Sequence, residues 1–385
     1  MKHISKIKTI VEVLMVLLLL YIIAVYSNLP FISKWRTIYI ETAMSTMTHQ
    51  WLATAFIPSN VVNKVVTDMQ TQQEENLVDS NQIEPDGATI WLGHPMGLSP
   101  EQVAYKEFLE KYDEIDLETM PEGIEYLNLV LEGEKTAGIK TVYGDSVYAI
   151  DTINGVVIVN IIGDGYNGKL AIIKDPSKVK LASSSSSSVG EHVADIAVAN
   201  NAVVAINASG FYDPNGVGNG SQPVGLVKQQ GKLIQEPINY GYWFKVGFDN
   251  SNNLRIGTAV DVESLRDGVQ FKPALIIDGE KKVSGSAGWG IQPRSVIGQS
   301  ADKQVFMLVV DGRQPTHSIG ITVGECADIL IKYGATQAIN LDGGSSSALV
   351  YKGTTITKPS TSGGNKDGRR IPNAWIVESS QVEEN

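Results

Sequence analysis

Two apolar segments near the end of this 385-residue chain each run out on an aspartate: QVFMLVVDGR reaches Asp311 and TQAINLDGG reaches Asp342. A carboxylate at a strand end can activate water or attack an electrophilic carbon. Strand alternation turns Asn340 to the same face as Asp342, so an amide and an acid emerge together. Gly343, Gly344, Ser345 and Ser346 follow directly. Consecutive glycines permit a backbone whose N–H groups converge on an anion, and the serines add hydroxyl donors. Such a cradle suits a phosphate or the hydroxyls of a sugar. Arg294, Arg313 and Arg370 supply guanidinium groups that grip phosphate oxygens in pairs. His317, in RQPTHSIGIT, is either a general acid–base group or a loop bystander. The G-x-S-x-G, Walker and H-E-x-x-H patterns are all missing from the sequence, which argues against a serine-hydrolase elbow, a nucleoside triphosphate site and a zinc centre. A divalent cation such as Ca²⁺ fits Asp and Asn oxygens, and no organic cofactor is expected.

The elements that must position these groups are legible. QVFMLVV and TQAIN are strands buried on both faces, and TVGECADILIKYG between them is an amphipathic helix closed by Gly334. Strand, helix and strand within about 40 residues form a βαβ unit with a right-handed crossover, which places Asp311 and Asp342 at one sheet edge. If the two strands are neighbours, the carboxylates lie roughly 5–10 Å apart. Cys326, on the helix, reads as a small buried apolar residue. Upstream, from about residue 123, β-branched runs alternate with Gly and Asn-Gly turns. The expected fold is α+β: a mixed β-sheet domain over 123–385, with the βαβ unit near its end.

The first 122 residues differ in kind. A basic start, MKHISKIK, leads into VLMVLLLLYIIAVY, an apolar run of about 18 residues that can span a bilayer. The lysines keep that end in the cytoplasm, and no small-x-small cleavage site follows. Residues 1–28 therefore read as a retained signal anchor, with the bulk of the chain membrane-anchored and extracellular. Residues 29–122 read as a helical stalk and linker. Within it, 36–57 places Ile40, Ala43, Met44, Met47, Trp51, Ala55 and Phe56 at helical spacing, a face that could lie on the bilayer, self-associate or pack on the globular domain. Residues 58–87 read as a polar linker, and 99–115 as a capped helix. A formal charge of −11 excludes a basic stripe for nucleic acid.

NASGFYD (207–213), PRSVIG (293–298), VDGR (310–313), INLDGGSSSALV (339–350) and RRIPNAWIV (369–377) occur in that order. With these motifs the chain resembles the phosphodiester glycosidase family over roughly residues 125–380. Asn207-Ala208-Ser209-Gly210 stands where the family commonly shows Asn-Gly-Gly, Ser295 where threonine is usual, and Ser345 where a third glycine is common. The resemblance implies hydrolysis of a sugar-1-phosphodiester in a surface glycan or exopolysaccharide, releasing the sugar. Asp342 would then be the catalytic carboxylate and Asp311 its partner. Arg294 and the 343–346 loop would take the phosphate, and Asn207 and Asn340 the sugar hydroxyls or the phosphate. The alternative is a non-catalytic glycan-binding or assembly protein that uses the same pocket.

Overall fold

The computed structural model describes residues 2–75, 130–141, 143–239, 243–361 and 364–380. The helix expected at 99–115 lies outside them. Helix α1 (Lys2–Tyr26) contains a span, Lys8–Tyr26, long and apolar enough to cross a membrane. Its far end is tied to the helical segment that follows. Arg36 Nη1 donates to the carbonyl of Ser27 at 2.8 Å, and the Tyr21 hydroxyl donates to the carbonyl of Phe56 at 2.9 Å.

The single helix expected over 36–57 is two. Helix α2 (Pro30–Met44) stops at the Ser45–Gln50 turn, and the short α3 (Trp51–Thr54) follows. The polar stretch read as linker instead begins with helix α4 (Ser59–Glu75). Val62, Val65 and Met69 recur at helical spacing within it, and the surrounding polar residues mask that spacing in composition. They close a small core with Ile40, Ala43 and Ala53. The segment thus buries one apolar face against itself and leaves Trp51 and Phe56 exposed.

The rest is built on three sheets, and every described strand pairing is antiparallel. The largest runs in spatial order Val130–Glu132, Val147–Asp151, Val156–Gly163, Tyr166–Ile173, Val305–Val310, Arg294–Ser300, Ala335–Asn340, Ala274–Ile277 and Glu280–Lys281. The expectation of a mixed sheet with adjacent parallel strands is therefore corrected. The strands ending at Val310 and Asn340 do run in the same direction, joined by the helix Val323–Lys332. Arg294–Ser300 inserts between them, antiparallel to both. Asp311 and Asp342 still reach one sheet edge, but a strand separates them. That helix opens with a capping box in which Thr322 and Glu325 exchange bonds, and Gly334 ends it at φ 88°. Cys326 is buried on its inner face, where burial pushes its thiol up to about 12.

One face of the large sheet packs through Ile297, Met307, Val309, Ile339 and Leu341 against Ile206, Leu349 and Trp375 of a five-stranded sheet. That second sheet runs Thr354–Thr355, Leu349–Tyr351, Ala202–Asn207, Asn373–Glu378, Val179–Ser183. Burial of these aliphatic faces supplies the rigidity that strand-end groups need.

Candidate functional site

Asp342 stands where the strand Ala335–Asn340 leaves the sheet, and its main chain is held at both ends, its N–H donating to the Ala208 carbonyl at 3.4 Å. The Asn207 side-chain amide donates to the Asp342 carbonyl at 2.7 Å, and its own oxygen accepts from Ser295 Oγ at 2.7 Å and from Ala348 N at 3.3 Å. Both ends of the buried Asn207 amide are thus engaged within the protein, so it fixes the loop. Ser295 reaches it because alternation sends Ser295 and Ile297 to the inter-sheet side of their strand and Arg294 and Val296 to the other.

In the 343–346 loop the amides of Gly343, Gly344 and Ser346 are engaged within the protein. Gly343 N donates to Asp342 Oδ1 at 3.0 Å, Gly344 N to Pro293 O at 3.0 Å, Ser346 N to Gly343 O and Ser347 N to Gly344 O, both at 3.2 Å. A tight 3₁₀ turn over Gly344–Ser346 turns these amides back onto the chain. The expected anion nest is thereby corrected. The loop instead steadies Asp342, whose carboxylate also bonds the Ser346 hydroxyl, while the Ser345 carbonyl accepts from Arg369 N at 3.3 Å.

Two guanidinium groups flank that carboxylate. Arg313 is held in place by Gln292 Oε1, which accepts from its Nε at 2.9 Å and its Nη2 at 2.7 Å. Gly344, at φ 62°, leaves room for it: a Cβ there would lie 3.1 Å from Arg313 Nη2. Arg369 lies 4.7 Å above the Phe211 ring, forks onto both Asp213 oxygens and donates to the Gly218 carbonyl at 2.8 Å. Burial pushes the Asp342 carboxyl up to about 6 despite the opposing pull of Ser346, Arg369 and Gly343, and the Asp213 charge adds to the rise. A carboxylate so placed is ionised near neutral pH yet basic enough to take a proton or attack carbon.

The other expected residues are distributed as follows. Arg294 is buried, its Nη2 donating to the carbonyls of Trp289 at 2.7 Å and Gly290 at 3.0 Å. Its Nη2 ties down that loop, so the guanidinium expected to take a phosphate is engaged with backbone carbonyls. Asn340 is also buried, with Nδ2 donating to the Lys272 carbonyl at 2.9 Å. Asp311 pairs with His317 Nε2 at 2.8 Å and accepts from Lys358 N at 2.8 Å. Among the described residues it shares no partner with Asp342, so the two acids form separate clusters at one edge. Arg370 lies against the Gly190 carbonyl at 3.0 Å. Sequence reasoning chose Arg370 over Arg369, and it passed over Asp213 and Gln292. The motifs GFYD and RRIP contained the first pair, but only the fold shows which arginine faces the acid. Among the described residues no three His, Cys, Asp or Glu side chains gather as a metal-ion cluster.

The helices α2 and α4 reach this site. Gln292 Nε2 donates to the Thr42 carbonyl of α2 at 2.9 Å, Ile291 N donates to Thr42 Oγ1 at 3.0 Å, and Gln73 of α4 donates to the Gly288 carbonyl at 3.1 Å. The close approach depends on Gly290, at φ 59°, where a Cβ would lie 2.6 Å from Thr42 Cα. Gly290→Ala should therefore displace α2 and loosen Gln292 and Arg313. The expected result is faster hydrogen exchange in residues 30–44, with exchange in the central strands unchanged and kcat/KM reduced about tenfold.

Residues 200–378 match the family model described as Phosphodiester glycosidase. The SPbeta prophage-derived uncharacterized protein YomE of Bacillus subtilis is 31% identical over 179 residues, covering 43% of this chain and 27% of that protein. The N-acetylglucosamine-1-phosphodiester alpha-N-acetylglucosaminidases of Bos taurus and Homo sapiens are 40% and 39% identical over 70 residues, which is 18% of this chain and 13% of each enzyme. The chain thus spans at most 27% of the length of these curated relatives. Among solved structures, the zebrafish N-acetylglucosamine-1-phosphodiester alpha-N-acetylglucosaminidase catalytic domain, auto-inhibited by its pro-peptide, superposes with a TM-score of 0.48 at 20% identity, covering 58% of this chain and 82% of that one. A hypothetical protein from Synechocystis gives 0.44 at 17%, covering 62% and 65%. Residues 200–378, the stretch that carries Asp213, Gln292, Arg313, Asp342 and Arg369, are thus the part of the chain that matches the phosphodiester glycosidase family.

Proposed function

We propose that residues 123–385 form a catalytic domain that hydrolyses sugar-1-phosphodiesters of surface or extracellular glycans and releases the sugar. The observation that carries this reading is the buried Asp342 carboxylate at the sheet edge, held by Gly343 N and interacting with the charges of Arg313 and Arg369. Asp342 acts at the anomeric carbon, as nucleophile or as base for water, and stabilises the oxocarbenium-like charge. Arg313, with Nη1 free of hydrogen-bond partners among the described residues, meets the departing phosphate. A phosphate monoester leaves readily, so little general-acid help is required. His317, oriented by Asp311, is the proton carrier for what remains. Residues 1–28 anchor the chain, and the domain faces the outside.

Incubating the purified protein with a panel of sugar-1-phosphodiesters, with and without a chelator, tests this reading. Release of sugar from at least one diester is the expected result. Failure on all of them, with glycan binding retained, would favour the non-catalytic alternative. Replacement of His317 by Gln should lower kcat less than about tenfold on an activated aryl phosphodiester, and more on a poorer leaving group.

A further inference from the structure

The charges around Asp342 already balance: Arg313 and Arg369 face Asp342 and Asp213. An incoming phosphodiester carries one more negative charge, and Arg294, the expected recipient, is committed to backbone carbonyls. A further cation stands close to the same strand. Lys272 Nζ lies 4.9 Å from the centre of the Trp243 ring and 5.7 Å from that of Trp289. Among the described residues it has neither a hydrogen bond nor an ion pair, although it is half-buried, and burial lowers its pKa. Unmet hydrogen-bonding capacity surrounds it. The Asn340 Nδ2 is bound to the Lys272 carbonyl, but Asn340 Oδ1 is buried without a partner, and so is the Trp289 indole N–H. Asn340 is fully buried and precedes Asp342 by two residues. A half-buried ammonium with no counter-ion among the described residues, an orphaned donor and an orphaned acceptor are costly unless a ligand completes them. Together they ask for an anion that also carries a hydroxyl.

We propose that Lys272, whose ammonium sits against the Trp243 and Trp289 rings, is a binding site for the phosphorylated end of a sugar phosphate. The assignment rests on the glycosidase reading and gives its substrate a second anchor, distinct from Arg313.

The indoles report occupancy directly. Full-length protein in detergent, titrated with glucose 1-phosphate and with inorganic phosphate, should show a change in tryptophan fluorescence that Trp289→Phe diminishes. Lys272→Met should weaken both ligands at least about tenfold, Lys272→Gln should do the same, and Lys272→Arg should recover most of the affinity. Affinity for unphosphorylated glucose should not change. Wild-type affinity for both phosphates in Lys272→Met, or equal losses for glucose and glucose 1-phosphate, would overturn the assignment. So would a wild type that binds neither phosphate. Lysine-dependent binding without turnover of any diester would support the site while removing the glycosidase reading, so the two failures are distinguishable.

Discussion

Asp342→Asn is expected to lower kcat on a sugar-1-phosphodiester by at least about 10³-fold, the range seen when an essential acid–base or nucleophilic group is removed. The same variant should be more stable than the parent at neutral pH. The carboxyl is raised in the folded protein from 3.8 to about 6, chiefly by burial. Below pH 3.8 the group is protonated in both folded and unfolded chains and exerts no charge penalty. As pH rises through that value the unfolded chain ionises first, so stability falls until the folded group ionises near 6, and the full penalty persists above. An amide keeps the shape and carries no charge, and it should recover about 1–3 kcal/mol at pH 7. Activity runs the opposite way, because the ionised form does the work: kcat/KM should climb as pH passes 6 and level off above. A flat profile between pH 5 and 8, or a less stable Asn variant, would show that Asp342 is a structural acid.

The second large effect is expected at Arg313. Arg313→Met should reduce kcat/KM on a phosphodiester by about 10²-fold or more, the scale of losing one fixed donor to charge that develops in the transition state. Lysine should restore little. Gln292 Oε1 holds Nε and Nη2 together, and only a planar fork can be seated that way while offering a third nitrogen outward. The backbone reinforces the placement, with Arg313 at φ 58° and Gly344 opposite at φ 62°. Steady-state kinetics of the Met and Lys variants decide the matter. If Arg313→Lys matches the parent, the fork is irrelevant and Arg313 acts only as a distant charge.

Local pattern made the strand ends readable, and it made their arrangement unreadable. Val305–Val310, the helix Val323–Lys332 and Ala335–Asn340 follow from hydrophobic period, capping residues and Gly334 alone. Nothing in those stretches reports that Arg294–Ser300 slides between the two strands, because that pairing joins segments distant in sequence and is set by the register of apolar faces. Asp342 was identifiable as a strand-end acid beside an amide. Its true companions were not, since Arg369 and Arg370 are equivalent as sequence and differ only in which side of the chain they leave. Arg294 misled for a related reason. An arginine before an apolar run looks available until the loop Trp289–Gly290 is seen to wrap its guanidinium. Gly343 to Ser346 looked like a nest because glycines permit that backbone. The chain adopted a 3₁₀ turn, which satisfies its own amides first. The helices at 30–75 were the least legible part, because the contact of Thr42 with Gln292 depends on a glycine more than 240 positions away.

The central claim is that Asp342 directs water to the sugar side of a sugar-1-phosphodiester. Hydrolysis in ¹⁸O-labelled water followed by mass spectrometry of both products tests it most directly. The label should appear in the anomeric hydroxyl of the released sugar, with unlabelled phosphate monoester, and Asp342→Asn should yield neither product. Label in the phosphate would mean that the phosphorus–oxygen bond is cut instead and would contradict the account.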